Sequence, residues 1–270
     1  MKKTIFLIIC VTIQLLRGNA QIAKGCFYDK SGAVEGNYNF WVYTPADYDN
    51  DNHKAPLIIF LHGASLCGKD INKVRKYGVL DAIGKGKIIP SLVLAPQNPG
   101  GAWNPIKINC LLEWMKKNYR VDTTRVYVIG MSLGGYGTLD FVGEYPQKVA
   151  AAMALCGGCS LSNFDGLGNV PLWIMHGTAD KAVSIGQSKK VVEYLQNAGK
   201  DSLLRYSWLP QGSHGILARM FYLQKTYDWL FAHSTMDKPR EVNKNFDIDI
   251  SDIKQTYEEL KWFRGMFDND

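Results

Sequence analysis

The stretch "RVYVIGMSLGGYGTLDF", residues 125–141, decides how the rest of the chain is read. Val126 to Ile129 are β-branched or aromatic, the composition of a buried strand. They run straight into Gly130, Ser132, Gly134 and Gly135, and then into a segment of helical character. A strand that turns sharply into a helix with one serine at the corner has the form of a nucleophile elbow. Glycines two before and two after the serine are needed because side chains there would collide with the neighbouring strand and helix.

A serine hydroxyl is a poor nucleophile at neutral pH. It needs a base, and the base needs an acid to hold its tautomer and stabilise its charge. Behind an elbow of this kind the partners follow in the order Ser, Asp or Glu, His, each in a loop beyond the carboxyl end of a later strand. "PLWIMHGTAD" (171–180) ends one strand candidate and delivers Asp180; "YSWLPQGSHG" (206–215) ends the next and delivers His214. Of the other histidines, His62 and His176 stand at strand ends before a glycine, where a structural hydrogen bond is expected, and His53 and His233 lie outside the required loops. Asp165, in the loop after the strand at 149–157, is the rival acid; Asp140 falls inside the helix after the elbow and Asp201 precedes the wrong strand. For the oxyanion that forms when a carbonyl is attacked, one backbone donor is expected from Leu133, and the other from the "HGASLCG" loop (62–68), at Ala64 or alternatively Ser65.

Outward from the elbow, strand candidates at 38–44, 57–63, 91–95, 149–157, 171–177 and 204–210 alternate with helix candidates near 71–85, 106–119, 133–145, 186–198 and 216–232. Such alternation implies a mostly parallel sheet with helices on both faces. After a polar link, residues 251–267 place Ile253, Tyr257, Leu260, Phe263 and Phe267 on one helical stripe, expected to dock on the catalytic domain or, alternatively, to bind a partner. The expected organisation is a leader at 1–20, a catalytic domain at 21–236 and an extension at 237–270 with an amphipathic helix.

Residues 1–20 combine Lys2 and Lys3, an apolar run from Ile5 to Leu16, and Gly18 and Ala20 at a cleavage-site spacing. This is the pattern of a secretory signal, too short and interrupted for a membrane span. A secreted or periplasmic chain without membrane insertion is therefore expected. Lys2, Lys3 and Arg17 would leave with the signal, so the formal charge of +6 falls to +3. No Lys/Arg cluster suited to a phosphate backbone appears, which argues against nucleic acid as a partner. Beyond the leader stand Cys26, Cys67, Cys110, Cys156 and Cys159, an odd number whose pairing cannot be read from sequence. "CGGC" (156–159) lacks a second ligand pair and a thioredoxin-type context, so neither a metal nor a redox centre is expected there.

With Ser132, Asp180, His214 and the His62-Gly63 loop in hand, the chain resembles the α/β-hydrolase esterases of carbohydrate esterase family 1 and the related predicted-peptidase proteins. "LHGAS" (61–65), "LAPQNP" (94–99), "VDTTRVYVIGMSLGGYGT" (121–138), "MALCGG" (153–158), "PLWIMHGTADKAVS" (171–184) and "WLPQGSH" (208–214) follow one another in that family's order, from about Tyr38 to Phe231. The resemblance implies an α/β-hydrolase fold and a serine carboxylic ester hydrolase without cofactor. Its substrates would be acylated oligo- or polysaccharides of plants, typically acetyl or feruloyl esters. Leu133 stands where the family often has Met, and "ASLCGKD" replaces a glycine-rich loop bearing a charge. Two other readings share these residues: a peptidase or amidase using the same triad, and a glycan-binding protein that keeps the fold without the chemistry.

Trp103, in the Gly/Pro-rich "NPGGAWNP" loop, is placed at the carboxyl edge of the sheet, either to bind a sugar or aromatic acyl group or to pack under its own loop. Phe164, Ile216 and Leu217 are candidates for lining the acyl pocket. Fifteen residues with four glycines, "CGGCSLSNFDGLGNV" (156–170), are too glycine-rich for a helical lid, so no large lid domain and an open site are expected.

Overall fold

The computed structural model describes residues 25–50, 52–246 and 248–256. The expected leader and residues 257–267 of the tail helix lie outside them. Among the described residues, eight strands form one sheet: β1 (Cys26–Asp29), β2 (Asn39–Thr44), β3 (Ala55–Leu61), β4 (Leu92–Gln97), β5 (Val121–Met131), β6 (Ala151–Leu155), β7 (Leu172–Gly177) and β8 (Leu204–Leu209), in the order β1-β2-β4-β3-β5-β6-β7-β8. β1 and β2 are antiparallel additions at one edge; β4, β3, β5, β6, β7 and β8 run parallel. β1 has no counterpart among the sequence candidates. It is four residues long, largely exposed, and held by its pairing with β2 rather than by an apolar pattern of its own.

Side chains along each parallel strand alternate between two cores, as the two-residue period of a strand requires. Ile58, Phe60, Tyr127, Ile129, Trp173 and Met175 face one layer, closed by α1 (Val79–Gly84) and α5 (Gln224–Phe231). Leu57, Ile59, Val126, Val128, Leu172 and Ile174 face the other, closed by α2 (Pro105–Asn118), α3 (Leu133–Glu144) and α4 (Gly186–Asn197). All twelve are fully buried.

Two expected helices are each divided. At 71–85 a 3-10 turn (Ile71–Arg75) precedes α1, and the break falls at Gly78, whose φ of 94° suits glycine and whose missing Cβ leaves room for the Phe60 ring, which it would meet at 2.1 Å. At 216–232 a 3-10 segment (His214–Tyr222) precedes α5. The Thr226 and Tyr227 hydroxyls donate to the Met220 and Phe221 carbonyls, taking acceptors that a continuous helix would have given to backbone N–H groups.

The tail crosses the end of the sheet opposite the strand exits. Arg240 donates to the Val149, Ala150 and Asn169 carbonyls, Arg205 donates to the Lys244 carbonyl, and the Phe246 ring meets Trp173 edge-on at 5.9 Å. Residues 250–256 are helical, with Ile253 fully buried in the first core. No helix among the described residues is long and apolar enough to cross a membrane.

Candidate active site

β3, β5, β6, β7 and β8 all end at one edge of the sheet, and their exits bring the predicted groups to that edge. Ser132 sits at the β5–α3 corner with φ 58° and ψ −122°, a left-handed conformation strained for any residue with a Cβ. The strain is kept because the backbone around it is packed to contact. A Cβ on Gly130 would lie 2.2 Å from the Gly134 carbonyl oxygen, and a Cβ on Gly134 would lie 1.8 Å from that of Leu61. The Ser132 N–H donates to the Leu155 carbonyl on β6 at 2.8 Å, which fixes the corner from the other side.

Leu133 opens α3, and Ala64 opens a 3-10 turn (Ala64–Leu66) that follows β3. First residues of helices have N–H groups without an acceptor one turn back, so both are available to a bound oxygen. The two starts are neighbours: a Cβ on Gly63 would lie 3.5 Å from the Ser132 Cβ. Two side chains hold the Ala64 loop. The Tyr77 hydroxyl accepts from the Gly63 N–H at 2.9 Å. His62 bonds the Gly63 carbonyl through Nδ1 at 2.8 Å and accepts the Asn98 N–H at Nε2 at 3.0 Å. Burial pushes the His62 pKa down to about 4, against a smaller upward pull from the Gly63 carbonyl, so the ring is a neutral strut.

Asp180 lies three residues past β7, its side chain fully buried. Oδ1 accepts the Ala182 and Val183 N–H groups at 2.8 and 2.9 Å, and Oδ2 meets His214 Nδ1 at 2.6 Å. Burial would raise the Asp180 pKa; the Val183 N–H, His214, the Ala182 N–H and the Cys156 thiol outweigh it and hold the carboxyl below its ordinary range. His214 begins the 3-10 segment after β8 with its side chain 24% exposed. The rival Asp165 is on the surface, paired with Lys200 at 2.8 Å and bonded by Tyr194 at 3.0 Å. Asp140 is buried in α3, where it accepts the Ser160 N–H at 2.6 Å and pins the 156–160 loop.

The pocket candidates are placed differently from the triad. Trp103 is only 3% exposed. Its indole donates to the His62 carbonyl at 3.2 Å, meets the His62 and Tyr38 rings edge-on at 5.0 and 5.2 Å, and lies where a Cβ on Gly137 would be. Of the two expectations for Trp103, the packed one describes this geometry: little ring surface is left to stack on a sugar, and the residue braces the loops around the serine instead. Phe164 is buried against Tyr194 with ring centroids 5.0 Å apart, and Leu217 is fully buried in the first core, so neither offers an open pocket wall. Ile216 is half-buried beside that core. The β6–β7 connection carries a single 3-10 turn (Asp165–Asn169) and no helical lid.

The sequence reading missed the roles of Tyr77 and Cys156, and expected a structural hydrogen bond from His176 without its partners. Cys156 follows β6 with φ 50°, is fully buried, and puts its thiol on Asp180, with its pKa raised by burial and by that carboxylate. None of the three belongs to a motif that announces its contact; each reaches the site through the fold. All five described cysteines are free thiols.

A family model described as phospholipase/carboxylesterase matches residues 107–233, which span α2 through α5 and hold Ser132, Asp180 and His214. Over that segment the chain is similar to the phospholipase/carboxylesterase family. Its fold is that of the α/β-hydrolases, without a large lid among the described residues. A bifunctional acetylxylan esterase/xylanase of Neocallimastix patriciarum is 33% identical over 81 residues, covering 30% of this chain and 12% of that protein. A crystal structure of a thermostable esterase superposes with a TM-score of 0.63 at 26% identity, covering 79% of this chain and 63% of that one. The feruloyl esterase module of Clostridium thermocellum, solved with sinapinate, superposes with a TM-score of 0.57 at 16% identity over 73% of this chain and 86% of that one, a likeness of fold. The chain thus spans 12% of the curated relative and 63% of the thermostable esterase.

Proposed function

We propose that this chain is a carboxylic ester hydrolase that removes acyl groups, acetyl or feruloyl, from plant polysaccharides. The observation that carries the reading is the buried, ionised Asp180 bonded at 2.6 Å to a partly exposed His214, with Ser132 in strained elbow geometry at the same edge of the sheet. Asp180 holds the proton of His214 on Nδ1, which leaves Nε2 as the base. The Ser132 hydroxyl adds to the ester carbonyl carbon while its proton passes to Nε2. The carbonyl oxygen takes up negative charge and is met by the Ala64 and Leu133 N–H groups. Collapse breaks the bond to the sugar oxygen, which takes the proton from His214, and leaves an acyl group on Ser132. Water then adds to that acyl carbon, giving a proton to His214, and the second collapse returns the proton to Ser132 and releases the carboxylic acid.

The substrate class is supported by the named activity of the Neocallimastix relative and by the open edge of the sheet, which admits an ester hanging from a polymer. Export is supported by the leader-like pattern of residues 1–20, since a polymer of that kind is met outside the cell. Purified protein should deacylate acetylated xylan fragments, methyl ferulate or 4-nitrophenyl acetate, and Ser132→Ala should fold and lose this activity. Turnover confined to peptide anilides would make it a peptidase. No turnover and no reaction with a fluorophosphonate would make it a glycan-binding protein.

A further inference from the structure

His214 is not the only ring on the acid. His176, fully buried at the end of β7, has Nε2 3.2 Å from Asp180 Oδ2, the oxygen that receives His214, and 3.0 Å from the Val183 carbonyl. An ionised carboxylate and a carbonyl can only accept, so Nε2 carries a proton whatever the charge of the ring. On the other side, Nδ1 is 2.8 Å from Ser188 Oγ on α4, and that hydroxyl lies 2.6 Å from the Gly157 carbonyl. Ser188 can donate to a neutral ring or, turned to Gly157, accept from a charged one; either way it fixes the plane of the imidazole. Burial, the larger cause, and the nearby His214 hold the His176 pKa below its ordinary value against Val183 and Asp180, which makes the neutral Nε2–H form the resting one.

Among the described residues, the titratable groups around this ring are Asp180, His214 and, from the end of β6, Cys156. The ligating atoms of Cys156, His176 and Asp180 lie within 4.8 Å of one another, as a metal site would need. Here they are spent on each other. The thiol is kept protonated by burial and donates to Asp180, so the cluster works as a set of hydrogen-bond donors around one carboxylate.

We propose that His176 is a positioning residue for ester hydrolysis: its Nε2–H, given to Asp180 Oδ2 beside His214, holds the acid loop at 178–183 and weakens the pull of Asp180 on the His214 imidazolium. The inference rests on Ser132, His214 and Asp180 acting as the triad. A carboxylate that serves one imidazolium alone binds its proton tightly and slows its return to the leaving alcohol. A second N–H on the same oxygen shares that charge and so loosens the hold on the proton in transit.

The test is the pH dependence of kcat/KM for 4-nitrophenyl acetate in wild type, His176→Leu and His176→Gln. Leu removes the donor, so the acid limb should move up by about 0.5 pH unit or more, the scale of one lost hydrogen bond to a buried carboxylate. Gln carries an N–H at the position of Nε2 and should bring the limb back. A Leu variant with lowered kcat and an unmoved acid limb, or a Gln variant no nearer wild type than Leu, would overturn the proposal in favour of plain packing. Should the Leu variant not fold, nitrogen NMR of histidine-labelled wild type decides: His176 protonated on Nε2 and bare on Nδ1 at pH 7 is expected, and the Nδ1–H tautomer overturns the proposal. Failure of the triad itself would be seen separately, as activity retained by Ser132→Ala.

Discussion

The two halves of the site are held by different forces. The corner that carries Ser132, where β5 turns into α3 beside β3, is backbone packed on backbone: Gly130 and Gly134 are places where a single added carbon has no room. The region around Asp180 and His214, where β7 and β8 end, is held by hydrogen bonds: His176, Cys156 and His214 converge on one carboxylate, and the Ser188 hydroxyl and the Val183 carbonyl hold His176. The difference teaches that the first half is all-or-none while the second is adjustable. Steric exclusion sets where Ser132 sits. Hydrogen bonds set how strongly the base pulls.

The sharpest way to break that comparison is Gly134→Ala. Its Cβ would stand 1.8 Å from the Leu61 carbonyl oxygen, so a rigid strand or the elbow must move. We expect a loss of about 3 kcal/mol in urea unfolding, the upper range for overpacking a core, together with loss of ester hydrolysis. A variant with wild-type stability and activity would show that the elbow is not sterically locked.

On the other half, Asp180→Asn should leave the fold intact and lower kcat by about 10²- to 10⁴-fold, because the charge that stabilises the imidazolium is gone and the ring can take the wrong tautomer. Asp165→Asn, on the surface pair with Lys200, should leave kcat unchanged. A reversal of these two would put the acid in the wrong loop.

How much of this was legible beforehand follows the same division. Steric requirements leave residues behind: the Gly-x-Ser-x-Gly run and seven of the eight strands can be read because glycine and apolar periodicity are written locally. Hydrogen-bond requirements do not. Nothing around His176 or Tyr77 in sequence says which oxygen their rings will meet, since the partners lie on other elements. Trp103 shows the limit from the other side. Its Gly/Pro-rich loop suggests an exposed aromatic, yet glycine at 137 opens a slot into which the indole packs. The helices expected at 71–85 and 216–232 divide for reasons equally non-local: the Phe60 ring under Gly78, and side-chain hydroxyls capturing the Met220 and Phe221 carbonyls.

A smaller effect sharpens the comparison through pH. His62 braces the Ala64 loop as a neutral ring, with a pKa of about 4 against about 6.5 in the unfolded chain. Its folded pKa is depressed, so below pH 6.5 the unfolded chain takes up the proton more readily. The stability it contributes is therefore complete above that value and is lost as pH falls towards 4. The loss amounts to about 3 kcal/mol at the acid end for a fully buried ring. Urea unfolding between pH 7 and 4 should show this slope in wild type and a shallower one in His62→Gln; equal slopes would mean that His62 is not held neutral.

The central claim is that Ser132 is the atom that takes the acyl group, activated by His214 on Asp180. Intact-mass measurement after a fluorophosphonate, followed by peptide mapping, tests it most directly. The account predicts one adduct per chain, on the peptide carrying Ser132, absent from Ser132→Ala and formed far more slowly in His214→Ala. An adduct on another serine, or labelling that survives Ser132→Ala, would contradict it.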